Sequence, residues 1–256
     1  MRTMYANRKE LFPLPDFIDT DIPVIVSLTT YKHRIKQIMP TIESLQKQSR
    51  KPDKIVVYIA YEDEPLITDE LRNAELVEIR LCEDTLSHKK FNGIFDFPDC
   101  YVATADDDLI YFKDWLKNLL RADRISSTRK HVSAHNTFIL DGWSFGRNAT
   151  RKDNSASLHG KIHMYVMTGA GVLIPPGFDL HELKEAFKYS PHCDEKPLSV
   201  LLRQKGIPVC ATSYNCAENH KEAYRNSISL WDMYNCKHQK ERWEESKKFI
   251  EEVFKK

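Results

Sequence analysis

Three consecutive aspartates, Asp106, Asp107 and Asp108, follow the apolar run CYVATA at residues 100–105. Adjacent carboxylates repel one another unless a cation lies among them. A hard divalent ion such as Mn2+ or Mg2+ takes oxygen ligands and readily shares them with substrate phosphates. In extended backbone Asp106 and Asp108 project to one side and Asp107 to the other. Asp106 and Asp108 are therefore the natural pair to meet one ion and a diphosphate. A solvated acidic turn is the alternative reading of the same three residues. In an open parallel sheet ligands bind beyond the carboxyl ends of the strands, so the elements around this run decide what it can do.

Those elements alternate. IPVIVSLTT at 22–30 is short, continuous and β-branched, which predicts a buried strand. A helix with Ile38, Met39, Ile42 and Leu45 on one face should follow, with Pro40 suited to its first turn. KIVVYIA at 54–60 and the stretch 76–81 read as further strands, with a short helix at 68–73 capped by Thr68. A short helix near 89–95 precedes the strand 100–105, and 113–125 reads as a strong helix burying Trp115, Leu116, Leu119 and Leu120. This alternation predicts an α/β fold with a mostly parallel, Rossmann-like sheet flanked by helices and right-handed crossovers. Beyond residue 130 the expectations are one strand at 132–140, a polar loop at 141–161, and a strand at 164–174 interrupted by Gly169-Ala170-Gly171. A helix at 195–205 can be capped by Asp194 and stopped by Gly206, and a last short strand falls at 209–211.

Composition narrows the class. The 256 residues are 41% hydrophobic and 29% charged with a formal net charge of +1. That is enough chain for one α/β domain with a real core, and no global field marks nucleic acid as a partner. The six cysteines form no C-x-x-C pair, so a structural zinc site is not expected. Residues 1–10 are polar and no apolar run reaches the ~20 residues that span a bilayer. The expected setting is cytoplasmic with reduced thiols. The tail at 237–256 carries seven Lys or Arg against five Glu and reads as a charged amphipathic helix. It would pack on the domain, or touch the inner face of the cytoplasmic membrane peripherally.

Four ordered segments resemble bacterial glycosyltransferases of the GT-A fold, close to the family 2 type of capsule and lipopolysaccharide assembly. The first runs from Val26-Ser27-Leu28-Thr29-Thr30-Tyr31 through Arg34-Ile35 to Lys51-Pro52-Asp53-Lys54-Ile55. The second is Ser87-His88-Lys89-Lys90-Phe91, and the third spans Thr104 to Tyr111 and ends in Lys113-Asp114-Trp115-Leu116. The fourth joins Gly169-Ala170-Gly171-Val172-Leu173-Ile174-Pro175-Pro176-Gly177 to Cys193-Asp194-Glu195. The likeness implies one GT-A domain with a nucleotide-sugar half at 22–130 and an acceptor half at 131–236. It implies a D-x-D metal motif at Asp106 and Asp108, and a catalytic base from Asp194-Glu195. The Asp-Gly-Ser turn that many family 2 enzymes carry after the second strand is absent; Ala60-Tyr61-Glu62-Asp63-Glu64 stands there.

The implied reaction transfers a sugar from a nucleotide-diphosphate donor to a hydroxyl of a glycan or lipid-linked acceptor. The acceptor proton needs a carboxylate or His within hydrogen-bond reach. Asp194 is the first choice; if it caps the helix instead, Glu195 is the better base. One base attacking opposite the leaving group predicts inversion. Lys89 or Lys90 can meet the diphosphate as a point charge, and Thr29, Thr30, Arg34 and Asp107 join the nucleotide-sugar set. Asp84 can accept from a uracil N–H, which favours a UDP-sugar, or it is a turn residue. Gly169 and Gly171 can allow close approach of the donor sugar or mark a bulge. His220 can serve as a third metal ligand or be a surface histidine, and Trp143 and Tyr165 can stack on sugars or pack in the core. Two other readings remain: a nucleotidyltransferase, for which no Gly-rich triphosphate loop follows the first strand, and a non-catalytic subunit that keeps the fold.

Overall fold

The first apolar run forms β1 (Val24–Thr29), buried along all but its last residue. The computed structural model describes residues 13–141, 144–191, 193–212 and 216–220. Three more parallel strands follow: β2 (Lys54–Ala60), β3 (Val77–Cys82) and β4 (Tyr101–Thr104). Between them lie α1 (Met39–Gln46), α2 (Asp69–Arg72) and α3 (Asn92–Asp96). Pro40 occupies the first turn of α1, and the Thr68 side chain caps α2 by accepting from Leu71 N, both as the sequence predicts. The helix expected at 89–95 is instead a 3-10 turn, Leu86–Phe91, running into α3. After β4 the chain turns into β5 (Leu109–Tyr111) and α4 (Trp115–Asp123), which buries all four predicted side chains.

The second half departs further from expectation. The stretch 132–140 is two strands in two sheets, β6 (Val132–Ala134) and β7 (Thr137–Asp141). The expected loop at 141–161 contains β8 (Ser144–Asn148) and α5 (Asn154–Leu158). The interrupted strand likewise divides into β9 (Met164–Val166) and β10 (Val172–Ile174). Next come α6 (Glu182–Ala186), α7 (Glu195–Gln204), β11 (Val209–Ala211) and β12 (Ala217–Asn219). Gly206 ends α7 with φ at +61°, the left-handed value that favours glycine.

The central sheet has seven strands in the order β11-β6-β10-β4-β1-β2-β3. Only β10 runs antiparallel to its neighbours. Alternate residues of β1 face opposite layers: Val24, Val26 and Leu28 pack with α1 and α4, whereas Ile25 joins the core beneath α6 and α7. Strands from both halves of the sequence thus share one sheet between two helical layers, as a Rossmann-like fold requires. A second sheet pairs β5 with β12, and a third joins β8, β7 and β9. Among the described residues no helix is long and apolar enough to cross a membrane. The tail at 237–256 and Trp143 lie outside the described residues.

Candidate active site

The order of the central strands fixes where a ligand belongs. From β1 the chain moves outward through β2 and β3, then returns to place β4 on the other side of β1. Such a reversal opens a crevice at the carboxyl ends of the two central strands. Thr30 and Arg34 follow β1, and the acidic run follows β4, so both stand at this reversal. The run is not extended. Asp107 and Asp108 form a turn between β4 and β5, and both meet Arg34 Nη1, at 2.8 and 2.9 Å. Asp107 also accepts from Thr30 Oγ1 at 2.6 Å. From α1, the Thr41 hydroxyl lies 3.0 Å from the Asp107 carbonyl and 2.9 Å from that of Leu109.

The expected alternation survives in exposure rather than in direction. Asp107 is only 5% exposed, while the side chains of Asp106 and Asp108 keep 38% and 19%. Asp107 and Thr30, expected in the nucleotide-sugar set, are therefore mutual anchors of the turn. Thr29 donates to the Tyr58 carbonyl at 2.8 Å and ties β1 to β2. Burial, reinforced by Asp107 and Asp106, pushes the Asp108 carboxyl up to about 6 against the opposing pull of Arg34.

Lys90 joins two acidic segments that lie far apart in sequence. Its ammonium, 2% exposed, sits 2.6 Å from Asp106 Oδ1 and 2.6 Å from Asp194 Oδ2. Lys89 is likewise buried and paired with Asp84. Both lysines, expected to reach a diphosphate, are committed to carboxylates, and Asp84 to Lys89. Asp194 stands at the N-terminus of α7 but makes no side-chain cap. Its Oδ2 instead accepts from Thr168 Oγ1 at 2.9 Å. Burial would raise its pKa, but Lys90 outweighs burial and holds the carboxyl below its ordinary range. Burial and the neighbouring Asp194 charge push Glu195 up to about 8. The two carboxyls thus differ in charge at neutral pH, the separation that divides acid from base roles.

The opposite wall is the link from β9 to β10. Three successive carbonyls there are each capped by a side chain: Thr168 O by Thr104 Oγ1 at 2.8 Å, Gly169 O by Tyr111 Oη at 2.7 Å, and Ala170 O by Trp115 Nε1 at 2.8 Å. Asp106 N donates to the same Tyr111 oxygen at 2.7 Å. Gly169 lies against the acidic run; a Cβ there would fall 1.9 Å from Asp106 Oδ2. Gly171 has φ at +116°, and a Cβ there would fall 2.4 Å from Trp115 Nε1. Its lack of a side chain answers to the core indole rather than to a sugar. Tyr165 is also a core residue, 3.9 Å from Cys193 Sγ through its hydroxyl. His220 comes beside the acidic run through its backbone, whose N–H donates to the Asp108 carbonyl at 2.8 Å. Sequence reasoning missed Thr41, Thr168 and Tyr111 as site-shaping residues. An isolated hydroxyl in a strand or helix gives no signal until its partner is known.

Charge and donor chemistry fit a divalent ion. Among the described residues the ion pairs of Asp106, Asp107, Asp108 and Asp194 are made with Arg34 and Lys90, two cations to four carboxylates. Hard carboxylate oxygens are what Mg2+ and Mn2+ prefer. Among the described residues no three His, Cys, Asp or Glu side chains form a ready-made ligand cluster. Phosphate and water oxygens would therefore have to complete the shell around Asp106 and Asp108. In comparison with known proteins, the chain matches no family model and no curated protein sequence.

Proposed function

We propose that this protein is a glycosyltransferase of the GT-A type, moving a sugar from a nucleotide-diphosphate donor to a hydroxyl of a glycan or lipid-linked acceptor. One observation carries the reading: carboxylates from separate segments converge at the β1/β4 reversal, where among the described residues four aspartates share two cations, Arg34 and Lys90. Asp106 and Asp108 would hold Mn2+ or Mg2+ together with the donor diphosphate. When bound, such an ion neutralises charge that builds on the departing phosphate oxygen. Arg34 fixes the turn that presents Asp108. Asp194, ionised beside Lys90, is positioned to take the proton of the acceptor hydroxyl as that oxygen attacks the anomeric carbon. Glu195, pushed up to about 8 by burial and the Asp194 charge, holds its own proton at neutral pH and leaves the role of base to Asp194. A single base opposite the leaving group gives inversion.

The test is release of UDP or GDP from a panel of nucleotide sugars with manganese or magnesium. Asp108→Ala should abolish metal-dependent release. Asp194→Asn should lower turnover by ~100- to 10,000-fold, the usual share of a general base. Glu195→Gln, which mimics a protonated carboxyl, should stay within about tenfold of the parent. Release that survives Asp108→Ala would refute the assignment, and the reverse ranking of the last two variants would move the base to Glu195.

A further inference from the structure

Lys90 is 1% exposed, as deeply enclosed as the neighbouring Lys89, and the proposed reaction gives it no direct part. Its backbone carbonyl accepts from the Ser27 hydroxyl of β1. Gly93 of α3 packs so closely on Ser27 that a Cβ would fall 2.5 Å from Ser27 Oγ. The 3-10 turn carrying Lys90 is thereby fastened to the central strand, and the ammonium has little freedom to follow a substrate. Its two partners belong to different parts of the fold: Asp106 follows β4, and Asp194 immediately precedes α7. A buried ammonium without partners is strongly disfavoured, whereas one carboxylate would suffice to pair it. Here it has two, each at 2.6 Å.

We infer that Lys90 is a positioning residue: an internal cation that sets the spacing between the donor-side carboxylate Asp106 and the acceptor-side carboxylate Asp194, and that shares Asp106 with any incoming metal ion. This rests on the glycosyltransferase reading, in which Asp106 meets the donor and Asp194 the acceptor. Two consequences separate it from phosphate binding. Removing Lys90 takes a positive charge away from a metal ligand, so Mn2+ alone should bind more tightly. Removing it also frees Asp194 from its fixed distance, so turnover should fall without a matching loss of nucleotide affinity.

The experiment uses the full chain and the variants Lys90→Met and Lys90→Arg. Mn2+ binding is followed by the loss of the free-ion paramagnetic resonance signal, UDP binding by calorimetry at saturating Mn2+, and turnover with the nucleotide sugar the parent accepts. For Lys90→Met the expected result is Mn2+ affinity raised at least roughly tenfold by Coulomb's law in a partly buried site. UDP affinity should stay within about threefold, and kcat should drop about a hundredfold, within the range set by catalytic misplacement. Lys90→Arg keeps the charge and tests spacing even if Lys90→Met does not fold. Mn2+ and UDP affinities near the parent's with kcat down roughly tenfold would support the inference, because the broader guanidinium spreads the two carboxylates. Loss of UDP affinity in step with kcat in either variant would overturn it and make Lys90 a phosphate ligand. Unchanged Mn2+ affinity in a folded Lys90→Met would overturn it too. A parent that binds Mn2+ but releases no nucleotide from any sugar donor would defeat the glycosyltransferase reading itself, and its own Mn2+ comparison with Lys90→Met would still decide whether Lys90 shares Asp106.

Discussion

Two glycines two residues apart separate chemistry from stability. At Gly169 an added methyl would meet the end of the Asp106 side chain, at 1.9 Å from Oδ2. A carboxylate on a rotatable stem can swing aside, so Gly169→Ala should leave the unfolding midpoint nearly intact while displacing a metal-binding oxygen. Metal-dependent turnover should fall at least about tenfold, as small misplacements of reacting groups do. At Gly171 the methyl would meet the buried Trp115 indole, and φ at +116° disfavours any side chain. Gly171→Ala should cost about 1–3 kcal/mol in urea unfolding from strain and overpacking. A Gly169→Ala enzyme of normal activity, or a Gly171→Ala protein of parental stability, would show that the wall is more compliant than its hydrogen bonds imply. At the same scale, the acidic run itself was legible from residue type and position. The partners of its members were not. Lys90 and Asp194 are joined only by tertiary folding, and Asp194 carries every local sign of a helix cap while its side chain bonds elsewhere.

Among the elements, the packing of α4 on β6 and β11 contains a buried histidine with an acid-labile consequence. His135 Nε2 lies 2.9 Å from the Trp115 carbonyl, which can only accept, so Nε2 carries the proton. Nδ1 therefore accepts from the Thr212 hydroxyl at 2.7 Å. Burial holds this imidazole neutral and lowers its pKa to about 4 against an ordinary 6.5, with the Trp115 bond opposing. Since the folded pKa is the lower one, the unfolded chain takes the proton first as pH falls. Stability is whole above about pH 6.5 and declines down to about pH 4, by roughly 3 kcal/mol from this group. Urea midpoints measured between pH 7 and 4 should follow that slope, and His135→Gln should flatten it. An unchanged slope in the variant would assign the acid sensitivity to other groups. The elements themselves were readable where runs were long and β-branched: β2 falls on the expected residues 54–60. The three-residue β11 also falls on its expected residues 209–211, but 132–140 was read as one strand because the corner at His135-Asn136 carries neither Gly nor Pro to announce it.

Across the whole molecule, the decisive strand is β10. It is antiparallel to β4 on one side and to β6 on the other, and so fuses strands from the two halves of the sequence into one sheet. Leu173 is wholly buried at its centre, in register with Ala103 and Ser133. Leu173→Ala should destabilise the protein by about 2–5 kcal/mol through lost burial and a residual cavity. Far-UV circular dichroism and tryptophan fluorescence should still report one coincident unfolding transition. Two separated transitions would mean that the halves fold independently. The alternation of strands and helices up to residue 125 made the α/β class legible. The antiparallel insertion was not, because strand direction is set by connection geometry rather than by composition.

The residues that fasten the wall at Thr168, Gly169 and Ala170 come from one short stretch, 104–115, which also carries the three aspartates. Acid groups and the latches of the surface facing them are therefore inherited together. Moving that stretch into a related sheet would carry the acid groups and the latches as a unit, whereas replacing Thr104, Tyr111 or Trp115 singly would loosen a wall that none of them belongs to.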